Sequence, residues 1–471
     1  MYKLFNFVSL IYLFLLNPFC ASQASEVNKL NKIMQNPNKN IKLEVAIVVD
    51  PFSSGALIAG ELKKYNIKTI SVLSSKNQIS YLTSSYKQGD FVDEIVFEGD
   101  MDSIVKLISS KYRIQAVIAG AESGVLLADK LANKFNTISN DINQSVARRN
   151  KLKMQNAVAA KGLLHIPSIE TNDFSKVTKW SKKQDKNKLC SSGYIVKPLQ
   201  SGGTDGVKYC RDLNETEIAF SSLIKTHDVF GNLNDKVLVQ CFIEGQEYVV
   251  DTVSIDGKHV VTGVLKYKKI KTESGHLIYD HMDFLNKDTV PEKNIVMYAK
   301  NVLTALGIKN GPTHTEIMYT KYGPILIESG ARMHGGSNPI YAKACSGNSQ
   351  LELIPKIYFN DLKNSYYDDV INYSYKLHKD MRIVFLISPG DVEFNLEDSA
   401  KKFSSKIKSL KTYYDSHLYL DKEKIVKTTD LLTTPGFIVL LGNKNCIEND
   451  TLLIRKFEKD LFENNSLKLN F

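Results

Sequence analysis

Between residues 43 and 135 the chain alternates short apolar runs with amphipathic stretches. "LEVAIVVD" (43–50) is a continuous apolar run ending in Asp50, the pattern of a parallel strand buried on both faces. "PFSSGALIAGELKKYN" follows as a Gly-containing loop leading into an amphipathic helix, and "TISVLS", "EIVFEG" and "AVIAGAESG" read as further strands with helical stretches between them. This βαβ alternation predicts a doubly wound α/β domain over 41–147. Ligands of such sheets bind beyond the carboxyl ends of the strands, where "GAESG" (120–124) places Glu122. A plain strand-to-helix turn is the other reading of that segment.

The pattern then changes. "QSVARRNKLKMQNAVAAKGL" (144–163) has helical spacing with Gly162 as its stop. "YIVKPLQSGGTDGVKYC" (194–210) reads as strand, Gly-rich turn and strand, and two long β-rich segments follow at 236–257 and 259–269. A helix is expected at 292–308, then two strand-like pieces, "THTEIMYT" and "PILIESG". The tail, 376–471, holds "MRIVFLIS", a Lys-rich helix (399–411), "SHLYL" and "GFIVLLG", a small α+β lobe. No internal repeat is present.

A length of 471 residues exceeds one ordinary core and suggests two to four domains. Of the net charge of +10, Lys3, Lys29, Lys32 and Lys39 against Glu26 supply +3 within residues 1–40. The remaining +7 is dispersed, with no basic arm or aromatic-interleaved cluster, so nucleic acid is not the expected partner. The six cysteines (Cys20, Cys190, Cys210, Cys241, Cys345 and Cys446) show no CxxC spacing and no His partners at zinc spacing. Neither a disulfide framework nor a metal site is expected from them, and they fit a reducing compartment. Residues 1–24 pull the other way: an apolar run from Leu4 to Leu16, then Pro18 and small residues, is signal-like, with a cut after Ala24. Translation from Met34 is the competing explanation. Residues 25–40 are polar and Asn-rich, a linker. The leader is too short to span a bilayer comfortably, and no other apolar stretch is long enough. Export and a cytoplasmic location therefore both remain open.

Candidate chemistry concentrates late in the chain. Glu316 and Glu328 each sit in a strand-like run, and "KYGP" (321–324) supplies a hairpin turn between them. Their separation of twelve residues lets both project from one sheet face. Paired carboxylates of this kind suit Mg²⁺; two solvated strand acids are the plainer alternative. Arg332 follows Glu328, offering a planar fork for phosphate or carboxylate oxygens. Gly335 and Gly336 leave backbone N–H groups open to an anion. Upstream, Lys197 precedes a turn containing Gly202, Gly203 and Gly206, which can fold over a triphosphate or be an ordinary mobile turn.

Taken in order, Lys151, Lys197 with "SGGTDG", "VQCFIEGQEYVVD", Glu316 and "ESGARMHGG" resemble the ATP-grasp superfamily over 148–360. "GAESG", "ARRNK", "EGQEYVVD", "THTE" and "GARMHGG" are most similar to its L-amino acid ligases. The resemblance implies a preceding α/β domain, an ATP-grasp core of two α+β lobes and a small C-terminal lobe. ATP with Mg²⁺ or Mn²⁺ is the implied cofactor, a carboxylate and an amine (amino acids) are the implied substrates, and a homodimer is a possible assembly. Carried over, Lys151 and Lys197 contact phosphates under the Ser201–Gly203 loop. Gln240, Cys241, Phe242 and Ile243 hold adenine, and Glu247 takes the ribose hydroxyls. Glu316 and Glu328 hold the metal, and Arg332, with Lys197, serves the transferred phosphate. Glu122, Glu273, His276, His334, Gly335 and Gly336 are the substrate-facing candidates. One position departs: many relatives have Asn two residues after the second acid, where this chain has Gly330. A water in place of that ligand, or weaker metal binding, would follow. The implied reaction is amide formation through an acyl phosphate with release of ADP. A carboxylase, a nucleotide-precursor synthetase and a secreted, non-catalytic ATP-binding protein are the alternatives; no "AMKM" biotin-carrier motif occurs.

Overall fold

In the computed structural model the described residues are 42–76, 83–184, 187–288, 291–393, 396–420 and 424–463. The signal-like leader and the linker lie outside them. The first sheet contains β1 (Leu43–Val49), β2 (Thr69–Leu73), β3 (Glu94–Val96) and β4 (Tyr112–Ala119) in the order β3-β2-β1-β4, with β1, β2 and β3 parallel. Alternation along β1 explains why it reads as unbroken apolar. Val45, Ile47 and Val49 pack with Ile104, Ile108 and Leu131 on one side, and Ala46 and Val48 pack with Ile58, Leu62 and Ile354 on the other.

A second, antiparallel sheet contains β5 (Ser168–Thr171), β6 (Tyr194–Lys197), β7 (Lys208–Cys210) and β8 (Val237–Cys241), in the order β5-β8-β6-β7. The β6–β7 hairpin carries the Gly-rich loop. The β-rich run at 236–257 is not one strand. It leaves this sheet at Cys241 and enters a third as β9 (Gln246–Ile255). Gly245 permits the crossing, because a Cβ there would lie 2.3 Å from the Tyr319 carbonyl oxygen.

The third sheet adds β10 (Lys258–Lys271), β11 (Leu277–Phe284), β12 (Gly311–Thr320), β13 (Gly323–Gly330) and β14 (Asp380–Phe385) to β9. Beyond a short ribbon of β15 (Val392–Glu393) and β17 (Lys424–Ile425), it is completed by β16 (Tyr413–Leu418) and β18 (Gly436–Gly442). Its order is β13-β12-β9-β10-β11-β14-β18-β16. The C-terminal strands thus continue the central sheet through β11–β14 pairing, with His281 opposite Val384. Strand periodicity marks each strand but not its neighbour.

Two local expectations change. The helix expected from residue 144 begins only at Lys151, because the Asn150 side chain caps it by accepting the Lys153 N–H at 2.9 Å. Before it, Arg148 turns inward, fully buried, onto Asp129 and the carbonyls of Asp141 and Leu306. Cys190 and Cys241 are joined in a disulfide across 51 residues, a pairing that their spacing did not signal. Among the described residues no helix is long and apolar enough to cross a membrane.

Candidate active site

The β12–β13 hairpin sets Glu316 directly opposite Glu328, with a register irregularity just after Glu316. On β12, alternation puts His314, Glu316 and Met318 on one face. Antiparallel pairing brings Asp251, Val249 and Glu247 of β9 beside them. Lys269 and Tyr267 of β10 extend the same face through their contacts with Glu247 and His334.

Two cavities meet over this face. The smaller, about 120 Å³, lies between the small sheet and the central one. Its lining includes Lys151, Lys197, Ser201, Gly202, Gly203, Gln240, Cys241, Phe242, Ile243 and Glu247. The larger, about 230 Å³, is lined by Glu122, Arg332, His334, Gly335 and Gly336 and also by Met282, Phe385, Leu431 and Phe437. Glu316 and Glu328 line both. The structure does not bring every candidate here: Glu273 is exposed, and neither it nor His276 lines either cavity. The loop between β10 and β11 instead packs back on β7, where the Tyr209 N–H donates to the Gly275 carbonyl.

The Lys151 ammonium donates to the Ser201 carbonyl at 2.7 Å and to Glu328 Oε1 at 2.9 Å, tying the Gly-rich loop to the hairpin. Lys197 is buried, and among the described residues its ammonium holds no hydrogen bond or ion pair. Burial, then the Lys151 charge, push its pKa down to about 8, against the pull of Glu328 and Glu316. An unpaired buried ammonium at the wall of a cavity is a site for an anion.

Lys269 meets Glu247 at 2.7 Å. Burial raises the Glu247 carboxyl above the usual range, and the neighbouring Glu316 charge adds to this while Lys269 opposes it. Glu316 goes the other way. Burial disfavours its charge, but the His314 hydrogen bond at 3.1 Å and the Lys269 charge hold it well below the usual range.

Behind Glu316 runs a buried relay. His314 Nδ1 lies 3.0 Å from Asp251 Oδ1, and His334 Nδ1 lies 2.9 Å from Asp251 Oδ2. His334 Nε2 meets the Tyr267 hydroxyl at 3.0 Å. Both His314 nitrogens therefore face carboxylates. Burial alone would lower its pKa, but the bonds to Asp251 and Glu316 raise it to about 9. Burial takes His334 down to about 4, so it is neutral, donating through Nδ1 and accepting from Tyr267. Asp251, His314 and His334 are close enough to hold a metal ion, but every ring nitrogen is engaged in this network.

The sequence reading singled out neither Asp251 nor Lys269. Asp251 stands four residues after Glu247 on one strand, a spacing that places both on one face. Nothing local to Lys269 points to Glu247. Ser54, on the wall of the larger cavity, is buried with its hydroxyl unpartnered among the described residues.

Residues 190–339 match the family model of the ATP-grasp domain. The chain is 28% identical over 434 residues to dapdiamide A synthase of Enterobacter agglomerans, covering 89% of this chain and 97% of that one. It is 22% identical over 246 residues to the L-arginine-specific L-amino acid ligase of Bacillus subtilis, covering 52% and 58%. Among solved structures it resembles the L-amino acid ligase from Bacillus licheniformis, with a TM-score of 0.64 and 16% identity over 89% of this chain and 97% of that one. It also resembles an N5-carboxyaminoimidazole synthase from Aspergillus clavatus in complex with ADP, with a TM-score of 0.62 and 12% identity over 89% and 99%. Residues 190–339 therefore carry an ATP-grasp domain. The similarity to these ligases along most of the chain indicates an ADP-forming carboxylate–amine ligase.

Proposed function

We propose that this enzyme joins two amino acids, or close analogues, into an amide through an acyl phosphate. The observation that carries the reading is the in-register pair Glu316–Glu328 at the junction of the two cavities. A nucleotide in the smaller cavity would point its phosphates at that junction. A carboxylate in the larger cavity would approach from the other side.

Lys197 supplies a buried ammonium for phosphate oxygens, and Lys151 couples the Gly-rich loop to Glu328. Gln240 through Ile243 border the smaller cavity, where a purine would lie, and Glu247 borders the same space. The donor set of Glu316 and Glu328 is all oxygen and fits Mg²⁺; these two carboxylates would hold it, and it would supply positive charge to offset that of the phosphates. The His314–Asp251 relay fixes the Glu316 carboxylate and keeps it ionised. Arg332 lines the larger cavity, where it would meet the transferred phosphoryl group and the acyl phosphate. Attack by an amine then yields the amide and phosphate. Among the lining residues, Ser54, Arg332 and Gly335–Gly336 suit the head group of an amino acid, and Met282, Phe385, Leu431 and Phe437 suit a hydrocarbon side chain.

The test is ADP release over a panel of amino-acid pairs, with mass detection of products. ADP formation dependent on both a carboxylate and an amine, with a dipeptide mass, is expected. A carbamate product would favour the carboxylase alternative, and release of ADP with a carboxylate and no amine would equally overturn this reading.

A further inference from the structure

Gly330 closes β13, two residues before Arg332, and lines the larger cavity. Its backbone is not in the left-handed region, so conformational freedom does not explain the glycine. Space does. A Cβ at this position would lie 2.6 Å from Glu122 Oε2 and 3.4 Å from Arg332 Cζ, and real Cβ atoms essentially never come within 3.0 Å of another heavy atom.

Glu122 cannot swing aside freely. It is buried, with Oε1 held by Arg149 Nη1 and Oε2 held by Arg332 Nε at 2.9 Å. Arg149 in turn donates to the Gln200 carbonyl at the base of the Gly-rich loop, at 2.5 Å. Glu122 belongs to the first sheet's last strand-to-helix turn, so one carboxylate spans three parts of the fold. The two other acids of this cavity, Glu316 and Glu328, would attract an untethered Arg332.

We propose that Gly330 and Glu122 are a matched pair: the missing side chain at 330 makes room for the Glu122 carboxylate, which acts as a positioning residue for Arg332. The consequence for turnover rests on the function proposed above. The steric pairing does not.

The test is a double-mutant cycle on the full chain, comparing Glu122→Ala, Gly330→Ala and the double variant with the parent. The melting temperature without nucleotide is read alongside kcat and the KM for ATP. Gly330→Ala should lower both the melting temperature and kcat in the parent, yet be close to neutral in the Glu122→Ala background. Glu122→Ala alone should lower kcat about tenfold while the KM for ATP stays within about twofold, with Glu122→Gln intermediate. Equal losses from Gly330→Ala in both backgrounds, or a parental melting temperature for the single variant, would overturn the pairing. If Gly330→Ala fails to fold, a folded double variant supports the proposal and an unfolded one refutes it. A kcat for Glu122→Ala equal to the parent's would overturn the positioning role. Should no amino-acid pair turn over at all, the melting temperatures still decide the pairing, and only the proposed function falls.

Discussion

Lys151 reaches from the first turn of its helix to Glu328 on β13, with 2.9 Å between the ammonium nitrogen and Oε1. The same nitrogen holds the Ser201 carbonyl at 2.7 Å. One side chain therefore links the loop over the smaller cavity to the acid at its floor.

Glu328→Gln removes one of the paired charges while keeping the shape of the side chain. ADP formation should fall by at least about a hundredfold, the scale of losing one electrostatic contributor to the transition state. The circular dichroism spectrum should be unchanged. A variant that turns over ATP like the parent would show that the acid pair does not serve the phosphates.

Arg332→Lys keeps the charge but replaces a planar fork with a point donor. Arg332 uses Nε on Glu122 and Nη1 on the Met333 carbonyl. A lysine cannot make both contacts and still face the cavity. The loss should be roughly 2–4 kcal/mol in the transition state, on the order of a hundredfold in rate. It should appear in kcat rather than in the KM for ATP, measured by steady-state kinetics.

Lys197 has its pKa pushed down to about 8 by burial and by Lys151. Its charged form is disfavoured in the free protein, so it lowers stability while protonated, and this penalty fades as pH rises through about 8 toward its unfolded pKa. Binding has the opposite dependence, because an anionic ligand needs the ammonium. ATP affinity should therefore weaken as pH rises through about 8, and Lys197→Met should weaken binding and flatten that dependence. Titration calorimetry at several pH values reads both; an equally steep profile in the variant would assign the pH dependence elsewhere.

Asp251→Asn should be more damaging than Tyr267→Phe. Asp251 bridges two buried histidines and balances the charge on His314, and removing one partner of a buried ion pair costs about 3–5 kcal/mol. Losing the Tyr267 hydroxyl leaves one neutral acceptor unpaired, about 1–3 kcal/mol. Chemical denaturation measures both, and the reverse order would mean that the relay carries no charge.

Local chemistry was legible along the chain because it is written at short range. Glu316, "KYGP" and Glu328 lie within one hairpin, where a period of two and a turn dictate which side chains share a face. The continuous apolar run of β1 announced a strand buried on both sides, and the structure packs it so. Tertiary structure alone decided the rest. Glu122 and Arg332 are 210 residues apart, and Asp251 and His334 are 83 apart. The Cys190–Cys241 bond and the pairing of β11 with β14 likewise join segments with no shared periodicity. Gly330 shows the difference most clearly. In the sequence it is a departure from a familiar pattern, and only the carboxylate brought beside it by another sheet supplies the steric reason for a residue without a side chain. Periodicity constrains the faces of single elements, whereas contacts between distant elements are selected by the packing of whole sheets, which no local window contains.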